Sequence, residues 1–291
     1  MDEVHPMIVA GEDPFGRPAA ETRPPVRRRL RQRIASALTA VGAAVAKFFA
    51  QIKALVFLLP KAKLLTTSGT ALLSIAAYSL FWGWPFAAGF VLLLFIHEMG
   101  HVIALRREGI KASAPTFVPF LGAVIAAKSL GRNAVAEARV GLAGPILGTI
   151  GAALVLLLAE ALNSEMLRAL AYVGFMLNLF NLLPVTPLDG GRAMAAMAPW
   201  MWFAGLGVLV AMLVLVPNPI LLLIVIIGAL DTWRRWKARS TRSLEQAAYY
   251  RVTPHQRLLV GATYVALIVI LAVGMADTHV LSAGGHSFRL L

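Results

Sequence analysis

An all-α, polytopic membrane protein is the architecture this sequence predicts, on three observations. Of the 291 residues, 59% are hydrophobic and only 14% charged, against roughly 45 to 50% apolar and 25% charged in soluble chains. The apolar residues gather into runs, several of them near the roughly 20 residues a helix needs to cross a bilayer. Lysine and arginine cluster beside those runs in the pattern that orients membrane spans. The net charge of +13 is therefore a topological signal. No basic stripe with interleaved aromatics accompanies it, so nucleic acid is not an expected partner. The absence of cysteine excludes disulfides and thiolate metal ligands.

Residues 1–33 carry Pro6, Pro14, Pro18, Pro24 and Pro25 and the basic run VRRRLRQR, with no apolar segment at the start. They read as a disordered cytoplasmic tail. Residues 34–59 are apolar but broken by Lys47, Gln51 and Lys53, which favours a helix lying on the membrane over one that spans it. The first span runs from Leu64 to Trp82 behind Lys61 and Lys63. A GWPF turn at 83–86 returns the chain through residues 86–105, and Arg106, Arg107 and Lys111 mark its cytoplasmic end.

Residues 112–127, ASAPTFVPFLGAVIAA, are too short for a span and are interrupted by Pro115, Pro119 and Gly122. Within them, residues 116–126 have the β-branched and aromatic content of an extended segment, a strand edge or hairpin. The span 140–158 carries Gly141, Gly144, Gly148 and Gly151, read as a smooth face for helix packing, with Pro145 as a candidate kink. Glu160 and Glu165 fall in an outer loop, and residues 167–183 return. Pro184, Pro187, Gly190 and Gly191 then predict a non-helical segment around Asp189. Spans near 194–216 and 219–233 follow, split by Pro217 and Pro219. A basic cytoplasmic loop at 237–257, a last span at 258–276 and an outward tail at 277–291 complete the chain. All of the 27 Lys and Arg except Arg168 and Arg289 then share the cytoplasmic side.

The run FVLLLFIHEMGHVIALRR at 90–107 places His97, Glu98 and His101 inside apolar sequence, where charge requires a function. Residues i and i+4 share a helix face, so both imidazoles can meet one metal ion with Glu98 beside them. Zinc bound by two His and a carboxylate keeps a position for water, lowers that water's pKa and leaves the adjacent Glu to act as general base. At about 1.5 Å per residue, His101 lies about 8 Å and His97 about 14 Å below Arg106, beneath the membrane surface. A third protein ligand is needed. Glu108 and Glu137 read as solvated interfacial charges, Asp231 as a helix-end charge beside Arg234 and Arg235, and Asp277 lies on the other side. Asp189 is the best candidate.

HEMGH at 97–101 followed by NLLPVTPLDGG at 181–191 resembles the site-2 protease family, intramembrane zinc metallopeptidases marked by H-E-x-x-H on one membrane helix and N-x-x-P-x-x-x-L/M-D-G after a later one. The resemblance covers about residues 64–236, a six-helix core with its motifs on the second and fourth helices, leaving one extra C-terminal span. It lacks any segment long enough for the PDZ or CBS domains many relatives carry. It implies one zinc ion bound by His97, His101 and Asp189, water activated by Glu98, and Asn181 contacting substrate or the developing oxyanion. Asn178 matches no motif position and reads as helix-interface glue. A β element after the catalytic helix is a further feature of the family, and it falls on residues 116–126, beside the metal, where it would align substrate by main-chain pairing.

The expected activity is zinc-dependent hydrolysis of a peptide bond in or next to a transmembrane segment of another membrane protein, in the manner of regulated intramembrane proteolysis. The expected setting is the cell membrane, with the N-terminus and the active-site end cytoplasmic. The alternatives are a membrane zinc hydrolase with a different substrate, and a transporter or scaffold with a non-catalytic metal site. A purely structural site needs ligands but no general base, so Glu98 argues against the scaffold.

Overall fold

The computed structural model describes Thr39 and residues 67–127, 129, 131–240 and 244–279. The expectations for residues 1–33, for 34–59 apart from Thr39, and for 280–291 lie outside the described residues. The chain divides into Met1–Val56 and Phe57–Leu291, and every element below belongs to the second unit. In order these are α1 (Thr67–Trp82), α2 (Trp84–Arg107), β1 (Thr116–Val118), β2 (Gly122–Val124), α3 (Ala134–Leu162), α4 (Glu165–Asn181), α5 (Asp189–Met197), α6 (Met201–Leu215), α7 (Pro219–Ser240), α8 (Leu244–Tyr249) and α9 (Pro254–His279).

The architecture is all-α and polytopic, with one small β hairpin. Among the described residues α2, α3 and α9 are long and apolar enough to cross a membrane, and α6 is a shorter apolar helix. Helices α1, α2, α3, α4, α6 and α7 follow the order of the six expected core helices, and α9 is the added one. The turn between α1 and α2 is tighter than the GWPF reading: Gly83 alone, at φ 75°, breaks the helix, and Pro85 sits in the first turn of α2. That backbone angle suits glycine. Asn133 opens α3 by accepting from the Ala136 N–H at 2.9 Å, satisfying a donor the helix cannot. Asn163, in the left-handed region at φ 49°, ends it.

Helix α3 is the centre of the fold, packing against α2, α4, α5 and α9. One apolar core joins Leu142, Phe175, Met194, Trp202 and Leu271. A second joins Tyr78, Phe90, Leu93, Phe117 and Leu170 around α1, α2 and β1. Helix α9 is part of the first core, and its Tyr264 hydroxyl donates to the Leu182 carbonyl, just ahead of the segment that carries Asp189.

Two expectations are corrected here. Asp189 is the first residue of helix α5, and the irregular backbone is confined to the residues before it. The segment expected as one span at 194–216 is broken between α5 and α6, where Pro199 cannot continue a helix ladder. Glycines let both following helices close over the loop. A Cβ at Gly205 would stand 2.6 Å from the Pro184 carbonyl oxygen, and one at Gly228 2.7 Å from that of Thr186.

Glu137 is a third correction. It is 1% exposed, with Arg235 Nη1 at 2.8 Å and the Tyr249 hydroxyl donating to its other oxygen. Arg235 also donates to Asp231 at 2.7 Å and lies over the Trp202 ring, 5.6 Å from its centroid. Burial and the neighbouring Glu137 carboxylate push the Tyr249 hydroxyl well above its ordinary pKa. Burial works against the Arg235 charge, but Glu137 and Asp231 outweigh it and raise its pKa. A lone sequence position at a helix start reads as solvated. Only the fold brings in partners 98 and 112 residues away.

Residues 116–124 form the expected hairpin, antiparallel with Thr116 opposite Val124, Phe117 opposite Ala123 and Val118 opposite Gly122. Its turn uses positive φ at Phe120 and Gly122. Helix α1 covers the β1 edge: Phe117 N donates to Thr70 Oγ1 at 3.1 Å and Phe120 N to the Tyr78 hydroxyl at 3.0 Å. Phe117 N therefore faces away from β2, which makes Phe117–Ala123 a non-hydrogen-bonded pair and turns the Ala123 N–H and C=O outward. Among the described residues, the free edge of the hairpin is β2.

Candidate metal centre

Helix α2 places His97 and His101 one turn apart, both buried, and Asp189 is buried at the start of α5. Asp189 Oδ2 lies 3.1 Å from His97 Nε2 and 3.3 Å from His101 Nε2. The two Nε2 atoms are 3.2 Å apart. Zinc bonds of about 2.0–2.1 Å in a tetrahedron require ligand atoms about 3.3–3.4 Å apart. The three donors match one face of that tetrahedron.

Hydrogen bonding at the far side of each ring decides what those atoms are. His101 Nδ1 lies 2.8 Å from the Val140 carbonyl oxygen, which can only accept, so the ring proton sits on Nδ1. His97 Nδ1 lies 2.8 Å from Asn178 Oδ1, and Asn178 is oriented by donating its Nδ2 to the Gly174 carbonyl at 2.7 Å. That ring is likewise protonated at Nδ1. Both Nε2 atoms then present lone pairs, beside a carboxylate that only accepts. Three buried acceptors facing one point can hold a cation between them, and His, His and Asp are a donor set that suits zinc.

The glycines of α3 shape this site. A Cβ at Gly144 would collide with His101 Nε2, one at Gly148 with Asn178 Oδ1, and one at Gly141 would press on Arg192 and the Asp189 carbonyl. Reading them as a packing face was correct in kind, but what packs there is the metal group and its supports. The sequence held only the spacing of four small residues, with no sign that imidazoles would lie over them.

Glu98 follows His97 on α2, half-buried, and its carboxylate makes no hydrogen bond to another described residue. Asn181 ends α4, half-buried and also without such a bond. The structure thus brings His97, His101 and Asp189 together, leaves Glu98 available beside them, and does not join Asn181 to the cluster. Asn178, 4% exposed, is the residue the sequence reading missed. Its detectable signal was an amide in an apolar helix, one turn before the motif asparagine.

Fold and site together define a multi-pass membrane protein with a buried His–His–carboxylate metal group. Residues 85–164 match Peptidase family M50, the site-2 protease family the two motifs resemble, and this stretch holds the HEMGH helix and α3. A zinc metalloprotease of Methanocaldococcus jannaschii, MJ0392, is 31% identical over 129 residues, covering 43% of this chain and 37% of its own. A protein of Mycobacterium tuberculosis with the provisional name zinc metalloprotease Rip3 is 35% identical over 121 residues, 38% of this chain and 30% of its own. The chain thus spans about a third of the length of the curated relatives it matches.

Proposed function

We propose that this chain is a zinc-dependent intramembrane endopeptidase that hydrolyses a peptide bond in or next to a transmembrane segment of another membrane protein. One observation carries the reading: three buried acceptors converge on one point, with a carboxylate, Glu98, beside them that is uncommitted among the described residues. His97, His101 and Asp189 would hold the ion, and the names of both relatives, zinc metalloproteases, support zinc. When bound, zinc supplies Lewis-acid activation of water and of the scissile carbonyl. Glu98 takes the proton of the attacking water and delivers it to the departing amide nitrogen, so that water is added across the C–N bond. The Asn181 amide, without a partner among the described residues, donates to the carbonyl oxygen as negative charge develops on it.

A helical substrate must unwind before hydrolysis, because its amides are hydrogen-bonded within the helix. The free β2 edge offers a main-chain partner to the extended segment through the outward N–H and C=O of Ala123. We assign the chain to the cell membrane, with the HEMGH-proximal Arg106, Arg107 and Lys111 on the cytoplasmic side. The test is purified full chain, assayed for zinc content and for cleavage of single-span membrane proteins, before and after chelation. Stoichiometric zinc with chelator-sensitive cleavage is expected. Cleavage that persists after the metal is stripped overturns the proposal.

A further inference from the structure

A cavity of about 380 Å³ opens between residues 186–192 and the C-terminal half of α7. Thr186, Pro187, Arg192, Ile227, Leu230, Asp231, Arg234 and Arg235 line it. Its arginines are not equivalent. Arg235 is committed to Glu137 and Asp231. Arg192 and Arg234 have no carboxylate within ion-pair distance among the described residues, and Arg192 interacts with Glu98 only at longer electrostatic range.

Thr186 is 3% exposed, and its buried hydroxyl has no hydrogen-bond partner among the described residues. That oxygen is sealed from solvent, so the ligand class is read from Arg192 and Arg234, whose guanidinium groups suit an anion that accepts hydrogen bonds. The rest of the wall identifies the source. Ile227 and Leu230 are exposed aliphatic residues on α7, and Trp233 and Trp236 are exposed in the next turn beside Arg234. Exposed aliphatics giving way to tryptophan and then arginine is the pattern of a membrane–water boundary.

We propose that this cavity binds the phosphate of an anionic phospholipid. Arg192 and Arg234 pair with the non-ester oxygens, and an acyl chain lies along Ile227 and Leu230. Guanidinium groups suit this ligand because their forked donors match phosphate oxygens, and basic pockets between membrane helices bind such headgroups. The bound lipid would brace the segment from Thr186 to Arg192, which contains Asp189.

Purified full chain in detergent, titrated with dioleoylphosphatidylglycerol and followed by native mass spectrometry, tests this directly. The measurement is independent of proteolysis, so it stands or falls separately from the proposed activity. One tightly held phosphatidylglycerol is expected, bound in preference to dioleoylphosphatidylcholine and not displaced by inorganic phosphate. Arg192→Gln with Arg234→Gln should weaken it about tenfold or more, the scale of losing charged hydrogen bonds. Arg168→Gln, remote from the cavity, should not weaken it at all. Arg234→Gln alone, an exposed position, keeps the test open if Arg192→Gln fails to fold. Equal retention of the two lipids, displacement by phosphate, or undiminished binding in the arginine variants overturns the proposal.

Discussion

At the residue scale, the site depends on groups that never touch the metal position. Asn178 and the Val140 carbonyl each occupy an imidazole Nδ1 and so leave Nε2 free. Outer partners of this kind set ring orientation and ligand basicity. Asn178→Ala should lower zinc affinity about 10- to 100-fold, measured by competition with a chelator. Asn181→Ala should keep zinc and slow cleavage about a hundredfold to a thousandfold, as for a lost oxyanion donor. Identical behaviour of the two variants would remove the distinction drawn between them. The meeting of His97 and His101 was legible because their spacing encodes a shared helix face, whereas Asp189 came from elimination among the acidic residues and from the second motif. Asn178 was not legible, because its role depends on how α4 is rotated against α2, which a single helix does not encode. Glu137 was misread for the same reason: its partners come from α7 and α8.

At the element scale, the hairpin, whose β content was legible from residues 116–126, has one covered edge and, among the described residues, one free edge. Which strand is free was not legible, since it follows from Thr70 and Tyr78 of α1 reaching β1 and the turn. If substrate pairs with β2, removing the Ala123 N–H matters more than removing its side chain. Ala123→Pro should therefore impair cleavage far more than Ala123→Gly, with zinc content unchanged in both. Equal cleavage rates would eliminate main-chain pairing at this edge. Element boundaries were the less legible part. Proline and glycine around Asp189 announced an irregular backbone, yet that backbone ends at Leu188 and Asp189 already begins α5, where its carboxylate also suits the helix N-terminus.

At the scale of the whole molecule, apolar content and the Lys/Arg bias predicted a polytopic all-α protein, and the helices follow the expected order. The integration of α9 was not anticipated, because an added span after a complete six-helix set offers no sequence signal of where it docks. It enters the central core through Leu267, Leu271 and the Tyr264 hydroxyl. Reporter fusions at residues 111 and 240 should report the cytoplasm and fusions at 163 and 285 the outside. A reversed signal at 240 would mean that α6 and α7 do not both cross.

The proposed activity rests on Glu98 being a base and not a ligand. Glu98→Gln keeps the volume and the three metal donors while removing the proton acceptor, so metal content and cleavage should separate in this one variant. Zinc at wild-type occupancy with cleavage of a single-span substrate abolished is the predicted result. Substantial residual turnover with zinc bound would contradict it.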